Sequence, residues 1–284
     1  MRKIIVIGAS GLVGSRFIEL SKFKDSLLCP SAEDLDITNP NIVLPEADVI
    51  INFAAYTDVA QGENQRNDKD GLCWKLNVGG LRNLLDAAKK SFFVQISTDL
   101  VFSGEHGPYC EDDIAETNSE KVTWYGFTKG EGERLCQDHT ILRLIYPVRA
   151  KYDQKLDYLR KPLALFDQGK LYPMFTDQQV SISFIDEVIF AIDKILEKKA
   201  TGVFHAGSSD FTNPFELYSY LFEKARGVKA VVKPSLLDEF LKTAQNPVRY
   251  PKFGGLKVEE TEKKLGIKFS PWKCIIDKLV EQGI

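Results

Sequence analysis

The sequence is short of several things, and each shortage narrows the field. No apolar run in its 284 residues approaches the ~20 needed to cross a bilayer, so a membrane-spanning chain is not expected. Its first residues hold too short an apolar stretch for a signal peptide and read as a strand instead. The five cysteines (Cys29, Cys73, Cys110, Cys136, Cys274) are odd in number and scattered, with no C-x-x-C. They read as reduced thiols in a cytoplasmic protein rather than a disulfide framework. His106, His139 and His205 do not cluster, so no metal site is expected. A net charge of −3 offers no basic footprint for nucleic acid. There is no low-complexity linker and no repeat.

What is present is an alternation. Strand patterns over 3–7, 26–29, 47–53, 92–97 and 140–145 interleave with helical patterns over 13–21, 72–90 and 124–136. Strands that are apolar on both faces imply a parallel sheet covered on both sides. The last third differs. A stretch at 166–175 is punctuated by Gly and Pro. Helices are expected over 184–198, 214–225 and 236–244, with a strand over 202–205. The fold class expected is α/β, a Rossmann-type doubly wound parallel sheet with a smaller C-terminal substrate-binding cap. The dinucleotide-binding domain is assigned to 1–150 and 180–206, and the cap to 151–179 and 207–284.

Two motifs carry chemistry. The first strand runs into Gly8-Ala9-Ser10-Gly11-Leu12-Val13-Gly14 and then a helix. Such a turn lets backbone N–H groups approach a pyrophosphate, helped by the positive potential of the helix N-terminus. Glycine is needed where a Cβ would block that approach. The spacing is G-x-x-G-x-x-G, and its position between strand and helix gives it specificity. The second strand ends at Cys29-Pro30-Ser31. No carboxylate stands at that corner to bind a ribose diol, which leans toward NADP. No Arg or Lys stands there either, so both cofactors remain open.

The second motif is Tyr125-Gly126-Phe127-Thr128-Lys129, which places Tyr and Lys on one helix face. Carbonyl reduction needs a proton donor on oxygen as hydride reaches carbon. A free tyrosine titrates near ~10, and a nearby ammonium is expected to lower that value. Tyr220-Leu221-Phe222-Glu223-Lys224 matches the same spacing. Tyr125 is preferred because it follows the strand end Ile96-Ser97-Thr98-Asp99 by about one strand–helix unit, and Tyr220 reads as a packing residue.

With these residues in place, the chain resembles the extended short-chain dehydrogenase/reductases, and within them the dTDP-4-dehydrorhamnose reductase family. The likeness runs through Gly8 to Gly14, Leu35-Asp36-Ile37-Thr38, Asn52-Phe53-Ala54-Ala55-Tyr56-Thr57, Asn77-Val78-Gly79-Gly80 and Ser97-Thr98-Asp99. It continues through Pro108-Tyr109-Cys110-Glu111, Tyr125 to Lys129 with Gly132-Glu133, Asp177-Gln178 and Leu265-Gly266-Ile267. The resemblance implies NADPH or NADH as cofactor. It implies contacts from Gly8, Ser10, Gly11, Leu12, Val13, Gly14, Ser31, Asp36, Ile37, Ala54, Ala55, Tyr56, Tyr125 and Lys129. Thr98, Tyr125 and Lys129 would be catalytic, and Thr98, Asp99 and Tyr146 would touch a nucleotide-linked sugar. Asn77 would support the site, and a homodimer is among the expectations.

The sequence departs from the family pattern at Ala32, Leu100, Tyr146, Val180-Ser181-Ile182-Ser183 and in a longer segment between Glu63 and Asn77. Leu100 stands where dehydratases of the superfamily carry an acid, and leucine cannot move a proton. Three functions stay open: a 4-keto-6-deoxysugar reductase, a nucleotide-sugar epimerase, or a non-catalytic regulatory subunit resembling the β subunit of methionine adenosyltransferase.

Overall fold

The computed structural model describes residues 3–88 and 90–284. Met1 and Arg2, at the start of the expected dinucleotide domain, and Lys89, within the expected helix 72–90, lie outside the described residues.

Six strands form the central sheet: β1 (Ile4–Ile7), β2 (Leu27–Leu28), β3 (Val49–Asn52), β4 (Phe92–Thr98), β5 (Thr140–Leu144) and a last strand, Gly202–Ala206, in the order β2-β1-β3-β4-β5-last. The sheet is parallel, with Ile4 opposite both Leu27 and Val49, and Val49 opposite Phe92. Every residue of β1, β3 and β5 is buried. This matches the continuous apolar runs of a sheet covered on both faces. The chain steps to one side of β1 for β2 and to the other for β3. That reversal is the topological switch point, where open α/β sheets bind ligands beyond their strand ends.

The chain divides into two compact units. One comprises 1–103, 112–143 and 189–204; the other comprises 104–111, 144–188 and 205–284. The core of the first gathers Ile5, Ile7, Ile50, Leu81, Leu84 and Phe93 from strands and helix. The core of the second joins helix Pro214–Arg226 to helix Trp272–Glu281 through Leu217, Leu221, Phe222, Ile275, Ile276 and Leu279.

Two helix expectations need correction. The segment 72–90 is not one α-helix. Leu72–Trp74 and Leu81–Ala87 are α-helical, and Lys75–Gly80 between them is a π-helix. A Cβ on Gly80 would stand 2.8 Å from the Ile37 side chain, so the wide turn sits against a close neighbour. The helix expected over 236–244 is only Leu237–Leu241. Helices Arg160–Asp167, Glu259–Leu265 and Trp272–Glu281 had no sequence expectation.

Candidate active site

The glycine loop is built as a cradle. β1 ends at Ile7, and Gly8 follows in the left-handed region at φ 75°. A Cβ there would lie 2.5 Å from the Ala54 backbone nitrogen, and one on Gly14 would strike the Gly8 carbonyl. The Gly11 N–H donates to the Gly8 carbonyl at 3.1 Å. Gly11 then caps helix Leu12–Leu20 without any side-chain hydrogen bond. The helix thus aims its N-terminus, with its positive potential, at the loop, as an anion site requires. Ser10 and Gly11 are exposed, and Leu12 and Val13 are half-buried. Both features fit a dinucleotide: a floor that a Cβ would fill, and apolar side chains beside it.

Other expected cofactor contacts are placed differently. Asp36 is exposed and accepts from both the N–H and hydroxyl of Thr38, at 2.9 and 2.7 Å, and these bonds lower its pKa. Ile37 is buried in the first unit's core. Ser31 donates its hydroxyl to Asp34 at 2.7 Å and its N–H to the same oxygen at 3.2 Å. A carboxylate therefore does stand at the corner after β2, three residues beyond where the sequence suggested looking. Ala54, Ala55 and Tyr56 are half-buried beyond the end of β3.

Thr98, Tyr125 and Lys129, the residues expected to be catalytic, are gathered at the end of β4. Thr98 ends the strand, donates to Asp99 Oδ1 at 3.1 Å and accepts from the Leu100 N–H at 3.2 Å. The helix Trp124–Leu135 starts beside it, capped by the Thr123 hydroxyl, which accepts from the Gly126 N–H at 3.0 Å. Gly126 lets that helix press against the Leu100 carbonyl, which a Cβ would strike. The approach brings the Tyr125 phenol beside Thr98, whose side chain favours the phenolate. One turn on, the Lys129 ammonium donates to the Ile96 carbonyl at 2.6 Å.

Burial dominates the electrostatics. It pushes the Asp99 carboxyl up to about 7 and the Lys129 ammonium down to about 8. It also pushes the Tyr125 phenol well above its usual value, and the Asp99 charge adds to that rise. The sequence expectation that a neighbouring ammonium lowers Tyr125 is therefore corrected. The ammonium is itself desolvated and bound to a carbonyl, while the Asp99 carboxylate acts on the phenol in the opposite sense.

Asn77, on the π-helix, ties the first unit's loops to this helix. Its side-chain oxygen accepts from the Tyr56 N–H at 2.8 Å, and its amide donates to Thr128 Oγ1 at 2.9 Å. Cys73, which no motif singled out, lies buried with its sulfur 3.5 Å from the same hydroxyl.

In the second unit, Tyr146 sits at φ 40° and stacks on Tyr158 with ring centres 3.9 Å apart. With Gln178, Tyr172, Phe175 and Tyr250 it lines a cavity of about 760 Å³. The Tyr220 hydroxyl donates to Asp277 at 3.0 Å, and Lys224 pairs with the same carboxylate, so the second Tyr–Lys match is a surface cluster. The departing stretch 180–183 is scaffold. Ser183 is fully buried, donates to the Ala206 carbonyl at 2.5 Å and accepts from the Ile145 N–H at 2.9 Å. Among the described residues, no three His, Cys, Asp or Glu are grouped to hold a metal ion. Among them too, no helix is long and apolar enough to cross a membrane.

Residues 1–283 match the family model described as the RmlD substrate binding domain. The dTDP-4-dehydrorhamnose reductase of Aggregatibacter actinomycetemcomitans is 25% identical over 292 residues, spanning 96% of each chain. The crystal structure of a dTDP-4-dehydrorhamnose reductase from Clostridium acetobutylicum superposes with a TM-score of 0.83 at 26% identity, covering 99% of both chains. That of a Bacillus anthracis dTDP-4-dehydrorhamnose reductase in complex with NADP gives 0.83 at 23% identity, covering all of both, and supports the fold.

Proposed function

The chain belongs to the RmlD substrate binding domain family, and we propose that it is an NAD(P)H-dependent reductase of a nucleotide-linked 4-keto-6-deoxysugar, of the dTDP-4-dehydrorhamnose reductase type. The observation that carries this reading is the Thr98–Tyr125–Lys129 arrangement at the end of β4, two strands from the glycine cradle that ends β1. The bound nicotinamide would supply the hydride. The chain's own residues supply the rest. Thr98 and Tyr125 direct two hydroxyls at a substrate carbonyl oxygen, and Tyr125 gives that oxygen its proton as the alkoxide forms. Lys129 would offer its N–H groups to the nicotinamide ribose. Gly8, Ser10, Gly11, Leu12, Val13 and Gly14 hold the pyrophosphate, with Ala54, Ala55 and Tyr56 beside the dinucleotide.

The first unit is proposed to hold the dinucleotide. A biosynthetic enzyme of this kind works in the cytoplasm, and a homodimer is the assembly to test by light scattering. Leu100 favours reduction over dehydration, since no acid follows Asp99.

Tyr125→Phe is the direct test. Removing a positioned proton donor typically costs on the order of 10²–10⁴ in rate. Turnover should fall by that much, while NADPH binding, followed by fluorescence, stays within a few fold. Undiminished turnover would sink the assignment.

A further inference from the structure

Two buried charges lie behind the reacting set. Glu133 follows Lys129 by one helical turn, on the same face of helix Trp124–Leu135. Lys129, Glu133 and Arg143 are 5%, 6% and 3% exposed, so no solvent screens them from one another. Lys129 and Glu133 land on adjacent residues of β4. Lys129 donates to the Ile96 carbonyl at 2.6 Å, and Glu133 Oε1 accepts from the Ser97 hydroxyl at 2.5 Å. Glu133 is gripped from the far side by Arg143 of β5, whose Nε and Nη2 reach its two oxygens at 3.0 and 2.8 Å. Arg143 is fixed in turn by the Asp113 carbonyl at 3.0 Å and by the Phe102 ring, whose centre is 4.8 Å away.

We propose that Glu133 and Arg143 are positioning residues that act through Lys129: Glu133 holds the ammonium charged in its dry site, and Arg143 sets how much of the Glu133 charge Lys129 feels. A lysine ammonium this deep loses hydration and tends to neutralise unless an opposite charge stands near. Burial lowers Lys129, and Glu133 is the largest influence pulling it back up. The other titratable groups facing Lys129 are weaker counterweights. Cys136, which caps the same helix, and Cys73 on Leu72–Trp74 are thiols whose pKa burial raises. Tyr125 stands one turn earlier, with its own pKa raised, and Asp99 lies beyond Thr98. Glu133 itself touches no reacting atom.

The consequence for turnover rests on the reductase reading; the effect on Lys129 does not. The two partners make opposite predictions. Glu133→Gln removes the attracting charge, so Lys129 should titrate lower by about one pH unit. Arg143→Met frees the Glu133 charge, so Lys129 should titrate higher. Glu133→Asp should restore the wild-type value. Because one unpaired charge in this site strains folding, the double variant Glu133→Gln/Arg143→Met serves as the balanced case. It should titrate below wild type, since the nearer charge decides.

The titration is read directly by NMR of ¹³Cε-labelled lysine in the protein without added cofactor. The basic limb of the kcat/KM profile is then read with substrate. Opposite displacements in Glu133→Gln and Arg143→Met, mirrored in the two limbs, support the proposal. Shifts of the same sign, or none beyond error in any variant, overturn it. NMR shifts as expected in a protein without turnover would leave it standing and remove the reductase reading instead.

Discussion

At the scale of the residue, Asp99 governs how the site responds to acid. Burial keeps its carboxyl protonated up to about 7, whereas in an unfolded chain it titrates near ~3.9. Between those values the native state binds the extra proton. Stability from this group is therefore complete at the acid end and is lost as pH rises through about 7. The opposing contribution of Lys129, which titrates lower folded than unfolded, acts only between about 8 and 10.5. Asp99→Asn should flatten the fall in urea midpoint between about pH 5 and pH 7.5 that the wild type shows. An unchanged slope would mean another group carries it. Asp34 makes a second prediction at this scale. A carboxylate at the corner after β2 accepts a ribose diol and repels a 2′-phosphate. Asp34→Asn should therefore raise the preference for NADPH over NADH, read as the ratio of the two KM values.

These residues also mark how far the sequence could be read. Thr98, Tyr125 and Lys129 were legible because helical spacing and a strand end are local facts, and the structure brings them together. Asp34 was not, because it reaches Ser31 only once the chain turns back on itself. Glu133 was visible only as part of a motif. Its partner Arg143 lies on another strand, and the pairing is tertiary.

At the scale of the element, the helix Trp124–Leu135 is held by a close approach. Gly126→Ala would push a methyl into the Leu100 carbonyl and lever the helix start, with Tyr125, away from Thr98. Overpacking of this kind costs about 1–3 kcal/mol, and kcat should fall with the melting temperature. Gly130→Ala is the control one turn on. Its methyl would meet the Ala115 side chain at 3.4 Å, an ordinary contact, so stability and kcat should stay near wild type. Equal losses in both variants would argue against the close approach. The strands could be read as largely apolar runs, because the sheet is covered on both faces. The π-helix at Lys75–Gly80 was not expected, although the five-residue step from Leu76 to Leu81 departs from the three-to-four-residue spacing of an α-helix. Helix Trp272–Glu281 did have a signal: Ile275, Ile276 and Leu279 repeat at helical spacing after Pro271.

At the scale of the whole molecule, the first unit should be a cofactor-binding body in its own right within the intact chain. A ligand that binds only the folded state stabilises it by about 2.7 kcal/mol at a hundredfold excess over Kd. NADPH should accordingly raise the melting temperature by several degrees. Gly8→Ala should abolish that rise, because its methyl would meet Ala54 in a left-handed backbone conformation. A full shift in that variant would place the dinucleotide elsewhere.

The central claim is turnover of a nucleotide-linked 4-keto-6-deoxysugar, and one measurement meets it most directly. The purified protein is mixed with a panel of such sugars and NADPH or NADH, and loss of reduced-nicotinamide absorbance is followed against product formed. The account predicts one cofactor oxidised per sugar alcohol produced, with Tyr125→Phe inert. Sugar interconversion with no net cofactor consumption, or cofactor binding with no chemistry on any member of the panel, would contradict it.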